Sequence, residues 1–155
     1  MGIFDKIKEI PNVTVTTDII VGFPGETEED FQETLDMVNY CKYDGAYTFI
    51  FSPRVGTPGE KLEEEMGIEQ SIKEERLQRL NELVNKYYLE SNLKMLNKEE
   101  LVLVDGLSTK ENELCGYTEN NKLVNFNGNE DLIGKIVKVR ITDAKSFSLD
   151  GELVE

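Results

Sequence analysis

Chemistry-bearing residues in this chain gather where apolar runs end. In "DIIVGFPGETEEDF" (18–31) a β-branched run meets two glycines around a Phe-Pro pair, followed by Glu26, Glu28, Glu29 and Asp30. In "AYTFIFSPRVGTPGE" (46–60) a second apolar run is followed by Ser52 and Arg54, then by prolines and glycines. A glycine turn that cradles phosphate wants amides and cations, so the carboxylates of the first stretch argue against a phosphate loop. Neither GxxxxGKS/T nor GxGxxG occurs, which removes the nucleotide loops of those kinds. The chain contains 0 histidines, so Ser-His and Cys-His nucleophiles and His-ligated zinc are excluded. Its 2 cysteines, Cys41 and Cys115, match no metal or disulfide spacing, and no metal ligand set is expected.

The elements that position these residues read as a strand–helix–strand unit. "VTVTTDIIVG" (13–22) suits a strand buried on both faces of a parallel sheet. Thr27 with Asp30 three residues on fits a capping box, and the acidic first turn complements the helix dipole. Phe31, Leu35, Val38 and Cys41 recur at helical spacing. "AYTFIFS" (46–52) is the second strand, parallel to the first through a right-handed crossover. The loop "SPRVGTPGE" (52–60) is expected to be irregular, and it lies where α/β proteins place ligands. A rigid connector with a solvated arginine is the equal alternative. A long helix over about 68–96 carries an apolar stripe of Ile72, Leu77, Leu80, Leu83, Val84, Tyr87 and Tyr88.

From about residue 98 the pattern changes to five short strands. Asp105-Gly106, Asn127-Gly128 and Asp150-Gly151 read as hairpin punctuation. A small, closed or nearly closed barrel is expected. The 155-residue chain is acidic, with 17 Lys+Arg against 31 Asp+Glu and a formal charge of −14. That disfavours unspecific adhesion to nucleic acid or anionic membrane. No apolar run reaches the roughly 20 residues of a membrane span, and the N-terminus has no signal-peptide core. A reduced, cytoplasmic protein is expected. Charge is uneven, however. Residues 122–147 hold Lys122, Lys135, Lys138, Arg140 and Lys145 against Glu130, Asp131 and Asp143, five cations over three carboxylates for a net of +2. "KIVKVRIT" alternates, so Lys138 and Arg140 are expected to point to solvent, with a change at Glu99 doing little. Phe126 is read as core, and Phe147 as a candidate aromatic on an RNA platform.

Two confident strands, apolar on both faces, cannot cover themselves with the helices available. The first part therefore reads as the end of a larger parallel sheet, or as a partner for another chain. At this point "TTDIIVGFPGETEEDFQETLDMV", "YTFIFSPRVGTP", "ERLQRLNEL", "NKLVNFNG" and "LIGKIVKVRITDAKSFSLDGELVE" together resemble the radical-SAM methylthiotransferases. The resemblance is to the MiaB type, which adds a methylthio group to isopentenyladenosine in tRNA.

The resemblance implies a fold in two parts. A partial (β/α) barrel segment with its long linking helix (1–96) would be followed by a five-stranded, OB-like TRAM barrel (97–155). It implies S-adenosylmethionine and two 4Fe–4S clusters in the full-length enzyme, whose cysteine motifs this sequence lacks, so the chain alone is expected to be non-catalytic. It places Thr17, Asp18, Val21 and Gly22 on a strand toward the S-adenosylmethionine pocket, the glycine letting backbone approach ligand, with Ser52 and Arg54 at the end of the next strand. It makes the TRAM domain the tRNA-docking module, with Lys122, Lys135, Lys138, Arg140, Lys145 and Phe147 as candidate contacts. The missing N-terminal domains become the other partner. Tyr117 stands where the family commonly has Arg. A ribosomal-protein methylthiotransferase piece and a non-catalytic interaction domain are the alternatives.

Overall fold

The computed structural model describes residues 2–109 and 113–154. It divides into two compact units, Met1–Tyr87 and Tyr88–Glu155. The expected boundary at 96/97 follows the long helix, whereas the division falls inside it.

The first unit starts with a short helix α1 (Gly2–Lys8), which the sequence did not announce. Strand β1 (Thr16–Val21) then leads through the Gly-Phe-Pro-Gly turn into helix α2 (Glu28–Cys41), and strand β2 (Gly45–Ile50) follows. The capping box is present in full. Thr27 Oγ1 accepts from the Asp30 N–H at 3.1 Å, and the Asp30 carboxylate accepts from the Thr27 N–H at 2.9 Å. Phe31, Leu35, Val38 and Cys41 are its buried face. β1 and β2 pair in parallel, with Asp18 opposite Tyr47 and Ile20 opposite Phe49. They form a two-stranded sheet.

Helix α3 (Pro58–Met66) corrects the expectation of an irregular 52–60. Pro58 opens it in the first turn, where its missing N–H costs no hydrogen bond and its fixed φ suits a helix. Helix α4 (Gln70–Leu93) is the long helix. Leu80, Val84 and Tyr87 are buried on it as expected, but Ile72 is 40% exposed. The stripe begins instead with two cations, Lys73 and Arg76, at 3% and 5% exposure.

The second unit is a closed barrel of five strands: β3 (Glu99–Leu107), β4 (Glu113–Thr118), β5 (Leu123–Asn127), β6 (Ile136–Ala144) and β7 (Leu149–Leu153). The ring order is β3-β4-β5-β7-β6, closed by antiparallel pairing of β6 with β3 and by a parallel β5–β7 pair. Inward residues alternate along each strand. Val102, Val104, Leu114, Val124, Phe126, Val139, Ile141 and Leu149 fill the core, with Met95 beneath. Phe126 is core, as read. Asp105-Gly106 and Asp150-Gly151 are not hairpin turns. They lie inside β3 and β7, and the registers of β3 with β4 and of β6 with β7 shift beside them. At Gly151 a Cβ would come 2.4 Å from Val139 Cγ1 and 2.7 Å from the Arg140 carbonyl oxygen, so the barrel's tight closure requires glycine there.

Candidate ligand cleft and nucleic-acid interface

In the first unit the two sheet faces differ. Thr17, Ile19 and Val21 on β1 and Ala46, Thr48 and Ile50 on β2 lie half-buried to buried. Thr48 hydrogen-bonds Asn81 of α4 at 2.6 Å, which marks this as the helix-covered side. Asp18, Ile20, Tyr47 and Phe49 occupy the other face and are exposed, Ile20, Tyr47 and Phe49 each by more than half. Side chains on a strand alternate, so Thr17 and Asp18 cannot share a site across one face. Thr17 and Val21 therefore turn to the helices, and only Asp18 of the expected β1 residues faces the open side.

Gly22 also departs from expectation. With φ at +73° it occupies the left-handed region that favours glycine, but what approaches it is a side chain of the same unit. A Cβ at Gly22 would sit 2.6 Å from Cγ of Lys73. Its N–H is already taken, by both carboxylate oxygens of Glu26 at 3.1 and 3.2 Å. Arg76 Nη1 donates to Glu26 Oε1 at 2.7 Å and to the Glu26 carbonyl at 3.0 Å. The first acid of the "GETEED" run is thus a pin for the turn, while Glu28, Glu29 and Asp30 occupy the helix start. Lys73 completes the clamp through an ion pair with Glu63.

Ser52 and Arg54 do come together. With Ile20, Ile50, Phe51, Thr57 and Gly59 they line a cleft of about 480 Å³ beyond the C-terminal ends of the two strands. Phe51 carries Phe23 edge-on, ring centroids 4.9 Å apart, so the pinned turn and the cleft wall touch. The cleft has an apolar wall and a hydroxyl and guanidinium on its rim, the composition usual for a small polar-headed ligand.

In the second unit the expected RNA residues separate into four places. Lys138 and Arg140 lie on the outer face of β6, exposed, and both reach Glu99 of β3, at 3.7 and 2.8 Å. The Arg140 hydrogen bond, then the nearby Lys138 charge, hold the Glu99 carboxyl below its ordinary range. Glu99 is therefore not a bystander: it neutralises part of the positive face. Lys135 lies just before β6, 4.0 Å from Asp131. Lys145 pairs with Asp150, and Phe147 is 67% exposed at the β6–β7 turn with its ring 5.6 Å from Tyr88. Lys122 turns inward. Its ammonium donates to Ser91 Oγ at 2.9 Å and Asn92 Oδ1 at 2.6 Å, and Asn92 in turn donates to the Lys145 carbonyl at 2.7 Å. That lysine ties the barrel to the end of α4 rather than offering charge to solvent.

The signal for the clamp was available: Lys73 and Arg76 fall in phase with Leu80, Val84 and Tyr87 on one helical face. Glu26 is 50 residues from Arg76, and Glu63 sits on the separate helix α3, which left the charges looking solvated. Glu99 was hidden because only strand register places it opposite Arg140.

Cys41 is buried on α2 and Cys115 sits on β4. Among the described residues no three His, Cys, Asp or Glu side chains group as metal ligands, so the residues present do not fit an iron–sulfur cluster. Among the described residues no helix is long and apolar enough to cross a membrane.

A closed five-stranded barrel is an OB-like architecture. Residues 93–154, which lie within the second unit, match the family described as TRAM domain. Over its whole length the chain is similar to tRNA-2-methylthio-N(6)-dimethylallyladenosine synthases. It is 53% identical over 157 residues to that of Alkaliphilus oremlandii, covering 100% of this chain and 33% of the relative. It is 54% identical over 152 residues to that of Bacillus cytotoxicus, covering 97% and 30%, and 55% identical over the same span to that of Bacillus cereus. The similarity extends over both units, and the chain spans about a third of the length of the relatives it matches.

Proposed function

We propose that this chain contributes the late part of a radical-SAM (β/α) barrel and the tRNA-docking TRAM domain to an enzyme that adds a methylthio group to isopentenyladenosine in tRNA. The observation that carries this reading is that similarity to the synthases runs through both units, from the β1 turn to the last barrel strand. The two-stranded sheet supports it. Its exposed face, with Ile20, Tyr47 and Phe49, suits the inner wall of a barrel whose other strands lie elsewhere. The helices cover its opposite side, as they do on the outside of such barrels.

On this reading Ser52 and Arg54 meet S-adenosylmethionine at the rim of the cleft, while Ile20, Ile50 and Phe51 supply the apolar wall for its adenosine. Asp18 faces the same side from β1. Bound there, that cofactor would supply radical chemistry together with an iron–sulfur cluster whose thiolates come from the remainder of the enzyme, the chain's first partner. The second partner is tRNA, met by Lys138 and Arg140, with Lys135, Lys145 and Phe147 at either end of β6. The chain by itself is non-catalytic. Its setting is the cytoplasm, where tRNA is modified.

The test is a fusion. This chain replaces the matching third of the Alkaliphilus synthase in a host lacking its own synthase, and tRNA nucleosides are read by mass spectrometry. Restored methylthiolation of isopentenyladenosine is the expected result. A folded, cluster-loaded fusion that leaves isopentenyladenosine unmodified overturns the reading.

A further inference from the structure

One end of the outer face of β4, β3 and β6 is apolar where a solvated barrel face is ordinarily polar. Leu101, Leu103 and Ile136 are 59%, 52% and 68% exposed, and Tyr117 is 41% exposed. Strand register makes them one surface. Leu103 lies opposite Tyr117 on one side and Ile136 on the other, so the three form a row across three strands. Leu101 lies opposite Lys138, and Glu99 opposite Arg140, in the next two rows. Same-face rows are two residues apart, about 7 Å. The face therefore runs from an aromatic and aliphatic row to a lysine and then to a guanidinium in three steps.

We propose that this face holds an unstacked RNA nucleotide, its base against Tyr117, Leu103 and Ile136 and its adjoining phosphate at Lys138 and Arg140, in the place Glu99 takes in the free protein. The proposal rests on the reading of the barrel as a tRNA-docking module and says which part of the RNA it takes. A base offers a flat, sequence-tolerant surface to aromatic and aliphatic side chains, and its phosphate offers negative charge one nucleotide's reach away. A guanidinium now held by one carboxylate can exchange it for a phosphate, which presents the same two-oxygen edge. An A-form duplex keeps its bases stacked and offers no base face to the row. Glu152 opposite Arg140 on β7, Asp131 near Lys135 and Asp105 on β3 keep the surrounding field from becoming strongly positive, so binding is weak and local.

The experiment titrates the chain with a labelled single-stranded oligoadenylate, an RNA duplex of the same length, and tRNA at low salt. The single strand is expected to bind more tightly than the duplex. Tyr117→Ala should weaken single-strand binding by about fivefold or more, in line with the loss of one stacked base, while Tyr117→Phe binds as wild type. Glu99→Gln should tighten it by about threefold, the size of a lost exposed ion-pair competitor. All three changes lie on an exposed face, and unchanged thermal melts establish that the barrel persists. Tighter binding of the duplex overturns the nucleotide assignment. RNA binding that ignores both Tyr117→Ala and Glu99→Gln overturns this face and hands it to a protein contact, leaving tRNA docking intact. Absence of binding to any of the three RNAs overturns the docking reading together with this one.

Discussion

At the scale of single residues, the turn after β1 is held by charge in a place where charge is costly. Arg76 and Glu26 are both largely buried, with side-chain exposures of 6% and 12%. Removing one partner strands the other, so Arg76→Met should lower stability of the first unit by about 3–5 kcal/mol. Glu26→Gln keeps an acceptor for the Gly22 N–H. In the Arg76→Met background it should return part of that loss, as urea denaturation of the double-mutant cycle will report. Additive losses would show that the pair does not act as a unit. A second expectation concerns acid. The Thr27 backbone hydrogen bond, then its hydroxyl, lower the Asp30 pKa from 3.8. A folded-state pKa below the unfolded value stabilises the fold above the unfolded value and loses that contribution as pH falls through the folded one. The α2 cap should therefore survive to below about pH 4. A carboxyl-carbon NMR titration of Asp30 with its midpoint at or above 3.8 would contradict it. Thr27 and Asp30 were legible in the sequence because a capping box is local. Glu26 was not, because its meaning depends on an arginine 50 residues away.

Elements were legible where one local rule sufficed and obscure where two competed. The period of Phe31, Leu35, Val38 and Cys41 marked α2, a β-branched run marked β1, and the apolar run 46–52 marked β2. Pro58 misled because proline reads as a breaker, although at a helix start it is favoured. The Asp-Gly pairs misled for a related reason: glycine serves a turn and a close strand approach equally well. The two uses separate experimentally. Gly151→Ala pushes a methyl into Val139 and the Arg140 carbonyl, and should cost about 1–3 kcal/mol. For a barrel of this size that lowers the melting temperature by about 4–8 °C per kcal/mol. Gly106→Ala meets nothing within 4 Å and should change the melt little. Equal effects at the two positions would mean that the glycines serve only backbone freedom.

At the scale of the molecule, the two units are built to different standards of completeness. The sheet of the first has two strands and an exposed apolar face, while every strand of the second has a neighbour on each side. Amide exchange should follow: protons of 16–21 and 45–50 are expected to exchange faster than those of 136–141. Greater protection in the two-stranded sheet of a proven monomer would contradict the barrel-segment reading. The sequence anticipated this asymmetry, since two strands apolar on both faces cannot cover themselves, but it could not say which face stays bare. That followed only once α2 and α4 were seen on the same side as Thr48 and Val21.

Ring closure of β3-β4-β5-β7-β6 has a consequence beyond the unit itself. A sheet with free edges brings its pairing demands to any chain it joins, and must find strands there to answer them. A closed ring makes no such demand. The five-stranded unit brings no unpaired strand edge to the chain that carries it. Substitutions on the outer face of β4, β3 and β6 can then change what the barrel presents to solvent while the core of Val102, Val139 and Ile141 stays as it is.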